Sequence, residues 1–119
     1  LDHDIYIFVT PLYWFGMSAQ LKIFFDRWSQ YKDDERWNFK ERIADKDLYV
    51  ITAANDEPLK EVTLPLINQF KMICEYIRLN YKGEAIGKGS RPLDVKNDDN
   101  ALLQVEKLKE EIKKIKELE

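Results

Sequence analysis

Two short, uninterrupted apolar runs constrain this chain more than anything else in it. Ile5-Tyr6-Ile7-Phe8-Val9 and Asp47-Leu48-Tyr49-Val50-Ile51-Thr52-Ala53 are rich in β-branched and aromatic residues, and neither alternates apolar with polar. A strand that shows one face to water alternates. A strand covered on both faces does not, and such strands belong to parallel sheets with helices above and below. Between the runs the period changes: Met17, Leu21, Phe24, Phe25 and Trp28 recur at helical spacing from Met17 to Tyr31, with Ser18 as N-cap.

The rest of the chain repeats the alternation. Lys32 to Lys46 is mostly charged, with Trp37, Phe39 and Ile43 as isolated apolar residues, and reads as a long surface connection in which Trp37 and Phe39 cover something. After the second run, Ala53-Ala54-Asn55-Asp56 is small and turn-forming. A helix then begins near Pro58 or restarts at Thr63-Leu64-Pro65, because proline is accepted in a first turn and not in a helix interior. Its buried stripe is Leu66, Ile67, Phe70, Ile73, Cys74 and Ile77. Gly83 to Ile86 reads as a short third strand, Gly87 to Pro92 as a loop, and 97–100 as the cap of a last helix reaching about Leu118. Ala101, Val105, Leu108, Ile112 and Ile115 share one face of that helix. The order predicts one α/β domain over 1–119, with about three strands and three helices.

Composition narrows the partners. A chain of 119 residues has room for one core. Nineteen basic against 22 acidic side chains leave a formal charge of −3, so no excess positive field exists to hold a nucleic-acid backbone. The one cysteine, Cys74, cannot pair internally, and no Cys/His spacing suits zinc or an iron–sulfur cluster; this fits a reducing compartment, and the expectation is cytoplasmic. The uncharged stretch Ile5 to Leu21 is broken by Thr10, Pro11, Gly16, Ser18 and Gln20 and falls short of the roughly 20 apolar residues of a membrane span. Leu1-Asp2-His3-Asp4 lacks the basic region of a signal peptide and an initiator Met, so the chain is expected to start mid-protein.

Ligands of open parallel sheets bind beyond the carboxyl ends of the strands, which directs attention to Thr10–Met17, Ala53–Glu57 and Gly87–Pro92. The first places Leu12, Tyr13, Trp14 and Phe15 where a short polar turn belongs. An exposed aromatic run of this kind costs solubility unless a flat ligand or a partner covers it, or unless it plugs the end of the sheet as core. Other features have plainer readings. Lys22, Asp26 and Arg27 suit a salt-bridged helix face, Cys74 a packed thiol and His3 a solvated side chain. Gly83 to Gly89 has too few residues between its glycines and no Ser/Thr after its lysine to be a phosphate loop. Asp33-Asp34-Glu35 and Asp98-Asp99 lack the glycine turn and terminal glutamate of a calcium loop.

Thr10-Pro11-Leu12-Tyr13-Trp14-Phe15-Gly16-Met17-Ser18-Ala19-Gln20-Leu21-Lys22, continuing to Asp26-Arg27, resembles the P-x-Y-W-x-x-x-x-A-x-L-K…D-R stretch of flavodoxin-like NAD(P)H-dependent FMN reductases and related quinone reductases. The resemblance implies a flavodoxin-like three-layer parallel sheet in which Ile5–Val9 is the family's third strand. Thr10, Pro11, Leu12, Tyr13, Trp14, Phe15 and Gly16 would then pack against the isoalloxazine ring of FMN, and Ala53, Ala54, Asn55 and Asp56 would form the flavin-side loop after the fourth strand. It also implies that the family's first two strands and phosphate loop are missing from this stretch of sequence. Hydride would pass from NAD(P)H to the flavin and on to a quinone, free flavin or other small-molecule acceptor, with no catalytic side chain required. A flavodoxin-type electron carrier and a cofactor-free interaction module are the alternatives. In the family's strand order the Ile5–Val9 strand lies mid-sheet, so its free edge is expected to draw the chain into a homo-oligomer.

Overall fold

In the computed structural model, residues 1–89 and 93–117 are described. Strand β1 (Ile5–Val9) leads through a tight turn to helices α1 (Ala19–Asp26), α2 (Trp28–Asp33) and α3 (Phe39–Ile43). Strand β2 (Asp47–Ala54), helix α4 (Leu59–Ile77) and strand β3 (Asn80–Lys88) follow. A 3-10 turn (Asp94–Asn97) then precedes helix α5 (Asp99–Glu117). The three strands are parallel in the order β1-β2-β3, which is the arrangement the resemblance implies for its last three strands.

The ladder pairs Ile5 with Asp47 and Val9 with Ile51. It carries on past β1 through Thr10, whose N–H donates to the Ile51 carbonyl at 3.1 Å. A bulge at Leu48/Tyr49 shifts the β2–β3 register. One face of the sheet buries Leu48 and Val50 against Phe25 of α1 and Leu66, Ile67 and Phe70 of α4. The other packs Tyr49 and Ala85 against Leu108 of α5. The two outer edges differ. On β3 the Gln104 side chain donates to the Ile86 carbonyl (3.0 Å) and accepts from the Ile86 N–H (2.9 Å), and Asp98 Oδ2 accepts from the Lys88 N–H (2.8 Å). On β1 no strand among the described residues pairs with the outer edge.

Several expectations change here. β1 does not lie between two covering layers: Ile7 is 49% and Val9 71% exposed, because α5 lies along β3 and leaves their side of the sheet open. The first long helix is two, broken at Arg27, and the surface connection contains α3, which buries Phe39 and Ile43 in the main core. The described residues therefore form five α-helices where about three were expected. Pro65 sits inside α4, which runs unbroken from Leu59 without restarting at Thr63. A proline there forfeits one backbone bond, yet Leu66, Ile67 and Phe70 just beyond it are all buried, and that packing keeps the helix whole. β3 is nine residues long, because Asn80 and Tyr81 pair with Asp47 and Leu48 before the bulge and Glu84 to Lys88 pair with Val50 to Ala54 after it, while Lys82 is left without a partner on β2. Ser90, Arg91, Pro92 and Leu118, read above as loop and helix end, lie outside the described residues.

Candidate functional site

Beyond the carboxyl ends of β1 and β2 lies a cavity of about 600 Å³. Thr10, Pro11, Leu12 and Tyr13 form one wall and Ala53, Ala54, Asn55 and Asp56 another, so the two segments singled out in the sequence meet although some 40 residues separate them. Val9, Ile51, Thr52, Gly89 and Val95 complete the lining. Trp14, Phe15 and Gly16 do not line it.

The first wall is held by its own hydrogen bonds. Buried Thr10 donates its hydroxyl to the Pro11 carbonyl (2.9 Å) and accepts from the Ser18 N–H (3.1 Å), joining the end of β1 to the start of α1. Ser18 then caps α1, its Oγ accepting from the Leu21 N–H at 3.3 Å. Tyr13 and Gly16 exchange both backbone bonds at 3.0 Å, closing a four-residue turn. Its central residues, Trp14 and Phe15, have φ of 50° and 67°. Two positive φ values in succession mark a type I′ turn, which ordinarily takes Asn-Gly, and a bulky side chain there costs about 1–2 kcal/mol per residue. The turn projects Trp14 almost wholly into solvent, 96% exposed. Backbone strain that holds an indole in water is the kind of outlier that accompanies a binding role.

The second wall is open because its residues are small. Ala53 and Ala54 end β2 without a side chain large enough to fill the space, and the Gly89 N–H donates to the Ala54 carbonyl at 3.0 Å. Gly89 is confined: a Cβ there would come within 2.6 Å of the Asp94 Cβ. Lys88 and Glu57 form an ion pair at 2.8 Å that ties the loop after β2 to the end of β3. Their hydrogen bond holds the Glu57 carboxyl below and the Lys88 ammonium above its usual range.

Two observations bear on what the cavity can hold. The hydroxyl of buried Thr52, a lining residue, has no hydrogen-bond partner among the described residues, and a buried unpaired hydroxyl is costly until a ligand or water meets it. Among the described residues no lysine or arginine lines the cavity. The described walls thus suit a flat ring bounded by backbone and small side chains. Sequence reasoning missed Thr52, Val9 and Ile51 because strand residues read as core; the signal available was their place at the last turns of the two apolar runs. Val95 carried no signal.

The remaining singled-out residues fall elsewhere. Lys22 and Asp26 form an exposed i,i+4 pair at 2.6 Å. Cys74 is buried, and loss of hydration pushes its thiol up to about 11. His3 is exposed. Asp34 pairs with Arg36, and Asp98 caps α5 by accepting from the Ala101 N–H at 3.0 Å. Among the described residues no group of His, Cys, Asp or Glu could hold a metal ion, and no helix is long and apolar enough to cross a membrane.

A parallel sheet covered by helices on both faces, with a ligand-sized cavity at its carboxyl end, defines the class of open α/β nucleotide- and cofactor-binding domains. Within that class, the family model described as flavodoxin-like fold matches residues 1–109, and the chain belongs to that family. It is 46% identical over 109 residues to YwqN of Bacillus subtilis (strain 168), which is provisionally named as an NAD(P)H-dependent FMN-containing oxidoreductase. The match takes in 91% of this chain and 60% of that protein. A solved structure described as the Trp repressor binding protein from Bacillus subtilis superposes with a TM-score of 0.80 at 46% identity, covering 85% of this chain and 65% of that one. The chain thus spans rather less than two thirds of the length of these relatives.

Proposed function

We propose that this chain builds the ring-binding side of the flavin site in an NAD(P)H-dependent FMN oxidoreductase. The cavity where the Thr10–Tyr13 wall meets the Ala53–Asp56 wall carries the reading, supported by the name of the 46% identical relative. When bound, FMN supplies the redox chemistry, taking a hydride from NAD(P)H and passing it to a small-molecule acceptor such as a quinone or free flavin. The chain's residues position the ring. Ala53 and Ala54 let it approach the backbone, Thr52 offers its unpaired hydroxyl and Tyr13 closes one side, while the strained turn holds Trp14 and Phe15 outside the cavity on the same loop. No acid, base or nucleophile is asked of them.

Because no cation among the described residues lines the cavity, lumiflavin, which lacks the phosphate, should bind the chain as tightly as FMN to within about threefold. Fluorescence titration measures both. Ala54→Leu, which fills the wall, should weaken both flavins by about tenfold or more, since overpacking an occupied site costs about 1–3 kcal/mol. Unchanged affinity in that variant, or no saturable binding of either flavin, would sink the proposal. For partners we infer a homo-oligomer joined at the free edge of β1, supported by the exposed Ile7 and Val9 beside it. A monodisperse monomer at tens of micromolar by light scattering would remove it. The free, buried Cys74 supports a cytoplasmic place for the protein; a periplasmic or secreted pool in fractionated cells would contradict it.

A further inference from the structure

The outer surface of the helical layer carries a second cavity, of about 400 Å³, between α1–α2 and α4, and nothing in the flavin reading uses it. Its floor is apolar. Phe25 and Ile77 are buried there, with Trp28 and Ile73 packed beside them. On the rim, the Lys32 ammonium donates to Tyr76 Oη at 3.1 Å and lies 5.4 Å from the centre of the Tyr76 ring. Tyr76 Oη accepts that bond and so keeps its own proton to donate. The pair joins α2 to α4 across 44 residues, so it exists only in the folded chain.

The charges around this pair are unevenly matched. Lys22 on the same rim pairs closely with Asp26 at 2.6 Å, and Lys32 pairs more loosely with Asp33 at 3.9 Å. On the far side of Tyr76 a depression of about 280 Å³ is lined by Lys40, Arg78 and Glu41. The Lys32 hydrogen bond, helped by the field of Lys40 and opposed by that of Asp33, holds the Tyr76 phenol below its ordinary range. In a chain of net charge −3, Lys22, Lys32, Lys40 and Arg78 outnumber Asp26, Asp33 and Glu41 by one charge around this aromatic floor.

We propose that this groove is a binding site for a flat aromatic carboxylate. The ring lies on Phe25, Trp28 and Ile73, and the carboxylate takes one hydrogen bond from Lys32 and one from Tyr76 in place of the bond between them. Charge-assisted bonds of this kind are about twice as strong as neutral ones, which is what would select the anion. The volume fits one bicyclic ring system, at the small end of ligand cavities. The site lies apart from the sheet-end cavity, and the two share no lining residue.

The test uses 2-naphthoate, with 2-naphthamide as its neutral match, followed by NMR on the 119-residue chain. We expect 2-naphthoate to shift the signals of Lys32, Ile73, Tyr76 and Ile77 and to bind about tenfold tighter than the amide, a difference of about 1.4 kcal/mol. Lys32→Met should erase the preference while leaving the circular dichroism unchanged, and Tyr76→Phe should reduce it several-fold. Equal affinity for the amide, an undiminished preference in Lys32→Met, shifts confined to Thr10, Ala54 and Asn55, or no saturation by about 10 mM would each overturn the assignment. None of these outcomes depends on whether flavin binds at the sheet's end.

Discussion

The two faces of the sheet are packed to different depths. Towards α1 and α4, Leu48, Val50, Leu66 and Phe70 have no exposure at all, and Phe8 meets the rings of Phe24, Phe25 and Phe70 at centroid distances of 5.9, 5.1 and 5.9 Å. Towards α5 the buried centre is Tyr49, Ala85 and Leu108, and the strip made by Ile7 and Val9 is open. The same strand supplies both, one residue apart. The lesson is that an all-apolar strand states what it can bury, while the helices packed on it decide which half is buried.

Replacing Phe70 by Ala should have the largest effect, because its cavity opens inside a cluster closed on every side; about 3–5 kcal/mol of unfolding free energy should be lost. Leu108→Ala on the other face should cost about 2 kcal/mol, at the low end for such a change, since one helix on an open strip can settle into the space. Equal losses in urea denaturation would break the comparison. Within β1 the contrast sharpens to neighbours: Phe8→Ala should cost about 3 kcal/mol and Val9→Ala less than about 0.5 kcal/mol. A Val9→Ala loss comparable to that of Phe8→Ala would mean that something covers the strip in solution.

A smaller effect of opposite sign is expected at Tyr49. Its ring is fully buried under α5, but its hydroxyl has no partner among the described residues. Removing an unpaired buried hydroxyl relieves its desolvation, so Tyr49→Phe should raise stability by about 1 kcal/mol. A destabilised variant would reveal a hydrogen bond on this face. Smallest is the change in the turn. Trp14→Asn with Phe15→Gly supplies the pair that a type I′ turn prefers and should add from a few tenths to about 1 kcal/mol by thermal melting. The same double variant should lose flavin affinity if the two aromatics reach the ring, which separates their cost to the fold from their use.

Much of this was legible along the chain. β1 was readable to the residue because Thr10-Pro11 ends it, and β2 to within one residue because Ala53-Ala54-Asn55-Asp56 carries the turn chemistry that stops a strand. The Thr10–Tyr13 and Ala53–Asp56 walls were foreseeable as the two loops at the carboxyl ends of parallel strands. What was not legible has a common cause. Trp14, Phe15 and Gly16 belong to the same motif as Tyr13, but two positive φ values turn them away from the cavity, and no residue type in the turn announces such a conformation. Pro65 signals a helix start and sits in an interior, where burial of Leu66, Ile67 and Phe70 outweighs one missing bond.

Period, turn residues and caps act over a few neighbours, so the amino-acid sequence alone determined β1, β2, the presence of β3, the two long helices α4 and α5 and the end of the sheet where a ligand belongs. Phe39 and Ile43 in the core, Thr52 in the cavity wall, the open strip on β1 and the Lys32–Tyr76 pair depend on groups brought together from distant parts of the chain. Burial is a property of what lies opposite a side chain, and only the tertiary structure decides that.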